Sequence, residues 1–422
     1  MMDSETHRAI NAVWSIESAR VIASLARIVR DVGLAEELAQ DALLAALEQW
    51  PSAGIPDNPA AWLTATAKHR ALNTLRRGKM LARKHDELGH ELESQAEPQK
   101  LIEQLEAQLD DDVGDDLLRL IFTSCHPTLS TEARVALTLR LLGGLTTDEI
   151  ARAFLVPEPT IAQRIVRAKR TLAEKQVPFE VPRGPELGAR LASVLEVVYL
   201  IFNEGYSATA GDDCMRPALS EEALRLGRVL AGLAPDEPEV HGLVALMELN
   251  ASRAAARTND AGEPVLLLEQ DRGRWDQMAI SRGLAALARA ERLGHAPGPY
   301  VLQAGLVACH ARARTPEATD WRQIAELYRQ LAAIVKSPVV ELNRAVAVSM
   351  AEGPAQGLAL ADALLGEPAL QRYHLLPAAR AELLEKLGRF EEAKTEFERA
   401  ALLTQNARQR EQLLRRARNS GR

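Results

Sequence analysis

The tightest limit on how this 422-residue chain can fold is helical-period apolar residues punctuated by proline and glycine. The pattern runs over 18–50 with a break at Asp31-Val32-Gly33, so a second helix is expected from about Ala35 and should stop at Pro51. Pro51, Gly54, Pro56 and Pro59 mark a loop, and 60–77 reads as a third helix ending near Gly78. Periodicity resumes at 117–125, 132–142, 147–154 and 160–173, and Pro178, Pro182 and Pro185 then mark a boundary. Residues 179–422 read as successive helix pairs. Aromatics are only 4% and Ala, Leu, Arg and Glu dominate, which favours helix over sheet. The expected fold class is all-α.

Charge is distributed in blocks. The whole chain carries a net −7, which taken alone argues against a nucleic-acid binder. Residues 68–85, however, hold seven bases and no acid, while 86–116 hold twelve acids and one base. Residues 160–175 hold Arg164, Arg167, Lys169, Arg170 and Lys175 against Glu174 alone. Two basic blocks flanking an acidic one leave two surfaces able to face phosphate. The 86–116 segment has few apolar anchors and reads as a linker.

Three widely spaced cysteines, Cys125, Cys214 and Cys309, argue against a disulfide framework or a structural zinc site and for a reducing cytoplasm. Asp3 and Glu5 interrupt any signal-peptide core, and the apolar stretch 191–202 contains Glu196 and is too short to span a bilayer. A cytoplasmic chain with no cofactor, no metal and no membrane association is expected.

The sharpest local motif lies at 144–170. Thr146 and Glu149 form a capping box opening one short helix; Ala151 is small enough for a helix crossing, and Pro157 and Pro159 start a second helix. Ile161, Ile165 and Ala168 should face inward, leaving Thr160, Gln163, Arg164 and Arg167, followed by Lys169 and Arg170, to project outward. In a helix-turn-helix these are the positions that reach major-groove bases and flanking phosphates.

A second set comprises Glu36-Glu37-Leu38-Ala39-Gln40-Asp41 with Trp50, then Trp62 through Lys68-His69-Arg70, Asn73 and Arg76-Arg77. Together these motifs resemble regions two and four of bacterial sigma factors of the extracytoplasmic-function type. The resemblance implies a region-two helical bundle over 1–85, an acidic linker over 86–116 and a region-four helix-turn-helix over 117–178. It also implies that Glu37, Gln40 and Asp41 dock on the clamp of core RNA polymerase. Lys68, His69, Arg70, Asn73, Arg76 and Arg77 would hold the minus-ten promoter element, and the second helix of the helix-turn-helix would read the minus-thirty-five element. Cations for the backbone and a stacking surface for unpaired bases suit strand separation; Trp62 is expected in the core rather than as a stacking platform. His69, Asn73, Leu155 and Ala162 depart from the family's usual residues.

Residues 179–422 resemble a tetratricopeptide-like extension through Ala381, Gly388, Phe390, Ala393, Phe397 and Ala400, with a weaker copy at Asn343, Ala345, Gly357 and Ala361. The strings at 199–213, 271–276 and 337–345 resemble the sigma-factor subgroup that carries such a domain. This implies a regulatory extension, open to a protein or small-molecule regulator. Glu204, Asp212, Asp213, Asp271 and Asp276 form a tempting carboxylate set, but no phosphate loop or nucleophile elbow accompanies them. Helix capping and interdomain salt bridges are their expected roles, and no catalysis is assigned. The competing reading is a one-component helix-turn-helix regulator with a repeat-type sensor; a repeat scaffold without a DNA role is the third.

Overall fold

A computed structural model describes residues 2–86, 113–154, 156–206, 217–259, 265–404 and 407–420, with side chains outside 2–5, 77–86, 113–114 and 407–408. Among the described residues there are 18 α-helices, five short 3-10 turns and no strand, as an all-α fold requires. Residues 87–112 of the acidic linker, Leu155, Asp212, Asp213, Cys214 and the Arg77 side chain lie outside the described residues. Two compact units divide the chain, Met1–Leu233 and Ala234–Arg422.

The first unit begins with three mutually packed helices, α1 (Met2–Val29), α2 (Val32–Ala53) and α3 (Pro59–Asp86). Arg30 in a left-handed conformation (φ 53°) breaks the chain after α1. Asp31 then caps α2 by accepting from the Leu34 amide at 2.9 Å. The inward stripe of α2 (Ala35, Leu38, Ala39, Ala42 and Ala46) is mostly alanine, which lets α1 approach closely. Leu63, Ala67 and Ala71 of α3 and the nearly enclosed Trp50 complete this core.

Two helix ends overrun the expected stops. Pro51 lies in the last turn of α2, where it disturbs little, and the helix closes at Gly54, whose amide donates to the Trp50 carbonyl at 3.0 Å. Gly78 costs α3 only about 1 kcal/mol, so the helix continues to Asp86.

Four further helices follow: α4 (Val113–Ser124), α5 (Thr131–Leu141), α6 (Thr147–Phe154) and α7 (Glu158–Glu174). The capping box is reciprocal: the Glu149 amide donates to Thr146 Oγ1 at 3.2 Å and the Thr146 amide to Glu149 Oε2 at 2.8 Å. Ile161, Ile165, Ala168 and Leu172 form the buried stripe of α7.

Helices α8 (Pro185–Tyr206) and α9 (Pro217–Leu233) belong to this same unit. Arg190 donates to the Phe122 carbonyl at 3.0 Å, Ser193 to the Cys125 carbonyl at 2.7 Å, and Arg225 to the Leu142 carbonyl at 2.6 Å. These are last-turn acceptors of α4 and α5, which a helix leaves unsatisfied on its own. The expected domain change at 178/179 therefore falls inside the unit, because the first two helices beyond it finish the helices before it.

In the second unit, helices pack largely on their chain neighbours. They are α10 (Pro238–Ala251), α11 (Gln277–Arg292), α12 (Pro299–Arg312), α13 (Trp321–Ile334), α14 (Pro338–Glu352), α15 (Pro354–Asp362), α16 (Leu375–Lys386), α17 (Phe390–Leu403) and α18 (Ala407–Asn419). Packing on the next helix or the next but one, as α10 does on both α11 and α12, is the organisation of a helical array. At the best repeat unit, Gly388 turns the chain with φ 74°, and Ala381, Leu384, Ala393, Phe397 and Ala400 are buried. Gly357 of the weaker copy lies so close to α14 that a Cβ there would stand 2.4 Å from Ser349 Cβ. Of the two aromatics expected to fill gaps, only Phe397 does so, under the Arg416 guanidinium at 4.5 Å; Phe390 is 44% exposed. Position 390 opens α17, where a side chain reaches past the end of the hairpin.

Asp271 accepts from the Gly273 amide, and Asp276 caps α11 through the Met278 and Ala279 amides at 2.8 and 3.0 Å. Both carboxylates act as helix caps.

Candidate nucleic-acid interface

Three surfaces of the first unit carry the residues singled out by the sequence. On α2, Glu37, Asp41, Leu44 and Glu48 follow one another at helical spacing on the side away from Leu38 and Ala42. Glu37 and Glu48 are exposed, and Leu44 is exposed at 56%, giving an acidic face with an apolar centre. Gln40 donates to Glu36 Oε1 at 2.8 Å, and Asp41 pairs with Arg70 of α3 at 3.5 Å.

On α3, burial of Leu63, Ala67 and Ala71 turns Ala65, His69 and Arg76 to the exposed side. Asn73 lies one turn from His69, with 3.4 Å between its amide nitrogen and the imidazole Nδ1. Lys68 and Arg70 are half-buried along the flanks. Trp62 packs edge-on against Trp50, with ring centroids 5.3 Å apart. It is half-buried and anchors the start of α3 instead of offering a free ring face.

On α7, Gln163 and Arg167 are exposed, and Arg170 is exposed while paired with Glu174 one turn on at 2.6 Å. Thr160 is half-buried in the first turn. Arg164 is half-buried and lines a cavity of about 210 Å³ with Glu132, Phe154, Leu200 and Glu204, so it faces α8 as much as solvent. Burial, together with nearby Arg190 and Lys175, pushes His126 beside this helix-turn-helix down to about 4. Burial pushes the Cys125 thiol up to about 11, which keeps it an unreactive core residue.

Lys169 differs from the rest of its basic block. It contacts Glu36 of α2, and that buried carboxylate also accepts from Arg140 of α5 at 2.6 Å. Sequence reasoning passed over Glu36 and Arg140. The signal was present: Glu36 stands between Ala35 and Ala39 on the buried stripe, and Lys169 stands between Ile165 and Leu172 on the stripe of α7. An acid and a base, each set into an apolar stripe, point to burial as a pair.

Among the described residues, no group of three or more His, Cys, Asp or Glu side chains is placed to hold a metal ion. No described helix is long and apolar enough to cross a membrane.

Residues 17–80 match the family described as Sigma-70 region 2, and residues 119–172 the family described as Sigma-70, region 4. Residues 190–291 match a family of unknown function (DUF6596), a stretch that straddles the division between the two units. A protein of Rhizobium meliloti (strain 1021), described as uncharacterized, is 42% identical over 396 residues, covering 92% of this chain and 90% of the relative. Region 2 on α1–α3, region 4 on α4–α7 and helices continuing beyond them place the chain in the sigma-70 family, as a sigma factor like those of extracytoplasmic function, with a C-terminal helical extension.

Proposed function

We propose that the chain binds core RNA polymerase and directs it to promoters, with α10–α18 acting as a fused regulatory domain of tetratricopeptide-like type. The observation that carries this reading is the pairing of two faces on adjacent helices. Acidic Glu37 and Glu48 flank exposed Leu44 on α2, beside the His69 and Arg76 face of α3. An acidic face with an apolar centre suits a basic protein partner and repels DNA phosphate. The neighbouring face, where Lys68, His69, Arg70 and Arg76 meet no acid of their own helix between 68 and 76, suits single-stranded DNA.

In this reading Glu37, Gln40 and Asp41 meet the polymerase clamp. Lys68, His69, Arg70, Asn73, Arg76 and Arg77 hold the melted minus-ten strand. Thr160, Gln163, Arg164, Arg167 and Arg170 read or brace the minus-thirty-five duplex, joined by Lys169 once it leaves Glu36. The chain performs no chemistry; the polymerase carries out phosphoryl transfer, in the cytoplasm where its template is.

Run-off transcription with core polymerase on genomic promoter fragments tests the proposal. Initiation that depends on the added chain, and weakens in Glu37→Lys, supports it. Duplex DNA binding without polymerase, no clamp binding in a pull-down and no stimulated initiation would replace it with the one-component regulator.

A further inference from the structure

Four basic side chains, drawn from α1, the turn after it, α4 and α7, line one cleft of the first unit. They are Arg27, Arg30, Arg119 and Lys169, and the cleft has a volume of about 800 Å³, in the range that holds cofactor-sized molecules. Gln176 adds an amide, and Val32, Leu172 and Phe179 add an apolar wall. The acids on the lining are Asp31, which caps α2 at the Leu34 amide, and exposed Glu180.

The counter-charges of these bases lie behind the lining. Asp116 is shared by Arg27 at 3.1 Å and Arg119 at 2.6 Å, and Glu36 by Arg140 at 2.6 Å and Lys169. Exposed Asp115 reaches Arg119 only at 3.6 Å. Glu36 and Asp116 are both buried and neither borders the cleft, so a solute there meets the bases and not their carboxylates. A cleft walled by one sign of charge concentrates the field and draws in the opposite ion.

A second observation singles out the same cleft. Among the described residues, Arg30 and Gln176 alone carry a positive φ without being glycine, at 53° and 47°. Arg30 follows α1 and Gln176 follows α7, at helix ends where glycine is the usual residue because it has no Cβ. Gly294 and Gly388 fill such places after α11 and α16. Here a guanidinium and an amide stand instead, at a cost in backbone strain, and both border the cleft.

Bases arriving from several helices suit an anion whose charge is spread along its length. A lone carboxylate can engage one or two of them; a chain of phosphates can reach all four, and guanidinium forks match phosphate oxygens in pairs.

We propose that this cleft binds an oligophosphate, either the triphosphate of a nucleotide or an inorganic chain. The proposal goes beyond promoter recognition and does not depend on it, and its test needs no polymerase.

The full-length chain is titrated by calorimetry with ATP and with inorganic tripolyphosphate at 0.15 M salt. Both probes should bind saturably, and Arg30→Gly should weaken both roughly ten-fold. That variant relieves the positive φ, so it should melt no lower than the wild type, which separates lost contact from lost fold. Gln176→Gly should weaken binding roughly five-fold. Arg152→Ala removes an exposed base outside the cleft and should leave binding unchanged. ATP roughly ten-fold tighter than tripolyphosphate supports a nucleotide with its base against the Phe179 wall; ATP no tighter supports a site for the phosphate chain alone. No saturable binding of either probe overturns the proposal, as does a loss in Arg152→Ala equal to that in Arg30→Gly. If neither probe binds and Arg30→Gly instead weakens binding of duplex DNA, the cleft belongs to DNA and the proposal fails.

Discussion

The Arg134 guanidinium of α5 donates to the Ser193 hydroxyl of α8 at 2.5 Å, and that hydroxyl donates onward to the Cys125 carbonyl at the end of α4. Arg134 also reaches Glu196 at 3.1 Å and Thr131 at 2.9 Å. One buried side chain thus ties three helices, two in region 4 and one beyond it. Arg134→Met should cost about 2–3 kcal/mol and Ser193→Ala about 1–2 kcal/mol in urea unfolding. A double-mutant cycle should return a coupling near 1 kcal/mol; strict additivity would show that the two do not act together.

The position of a viable truncation follows. A chain cut at residue 180 loses α8 and α9, orphaning the Phe122, Cys125 and Leu142 carbonyls. A chain cut at Leu233 keeps the whole first unit. Amide exchange over 117–172 should be fast in the shorter chain and native-like in the longer one. Equal protection in both would contradict the structural role of α8 and α9.

In the second unit, His310 is held neutral. Burial, with Arg253 and Arg272 nearby, pushes it down to about 4, and its ring meets Trp321 edge-on at 5.3 Å. Its folded-state value is depressed, so protonation favours the unfolded chain. The contribution is fully present above about pH 6.5 and is lost as pH falls towards 4. Between pH 7 and pH 5 the wild type should lose about 1–2 kcal/mol more stability than His310→Gln. Denaturant midpoints at the two pH values decide it; parallel losses would mean His310 titrates normally.

The two phenylalanines of the best repeat unit should separate sharply. Phe397 is fully buried, so Phe397→Ala should cost about 3–5 kcal/mol. Phe390 is 44% exposed, and Phe390→Ala should stay within about 0.5 kcal/mol. Thermal melts of the two variants compare them directly.

On the recognition helix, exposed Arg167 is expected to meet phosphate. Arg167→Ala should weaken promoter binding by the holoenzyme about equally across promoter sequences and lower the salt slope by about 1. A sequence-selective loss would instead assign Arg167 to a base.

What could be read from the sequence was mostly local. Thr146 and Glu149 declare a helix start because the capping box closes within one turn, and Ile161, Ile165 and Ala168 declare a buried stripe by spacing alone. Pro51 and Gly78 misled because a breaker in the last turn of a helix, or one glycine in a long helix, costs too little to stop it. Partner choice over long separations left no such trace. Arg225 finds the Leu142 carbonyl 83 positions away, and nothing around either residue announces it. The pairing of Lys169 with Glu36 was likewise invisible, because an ammonium group reads the same whether phosphate or a carboxylate answers it.

The capping of α4 and α5 by Arg190, Ser193 and Arg225 also has a consequence for synthesis. A ribosome that has just finished the helix-turn-helix has made a module whose helix ends are still open. At about 5–20 residues per second, the 55 residues from 178 to Leu233 take about 3–11 s more. A nascent chain therefore closes the ends of α4 and of α5, the helix on which the recognition helix packs, only after committing to the first two helices of its extension.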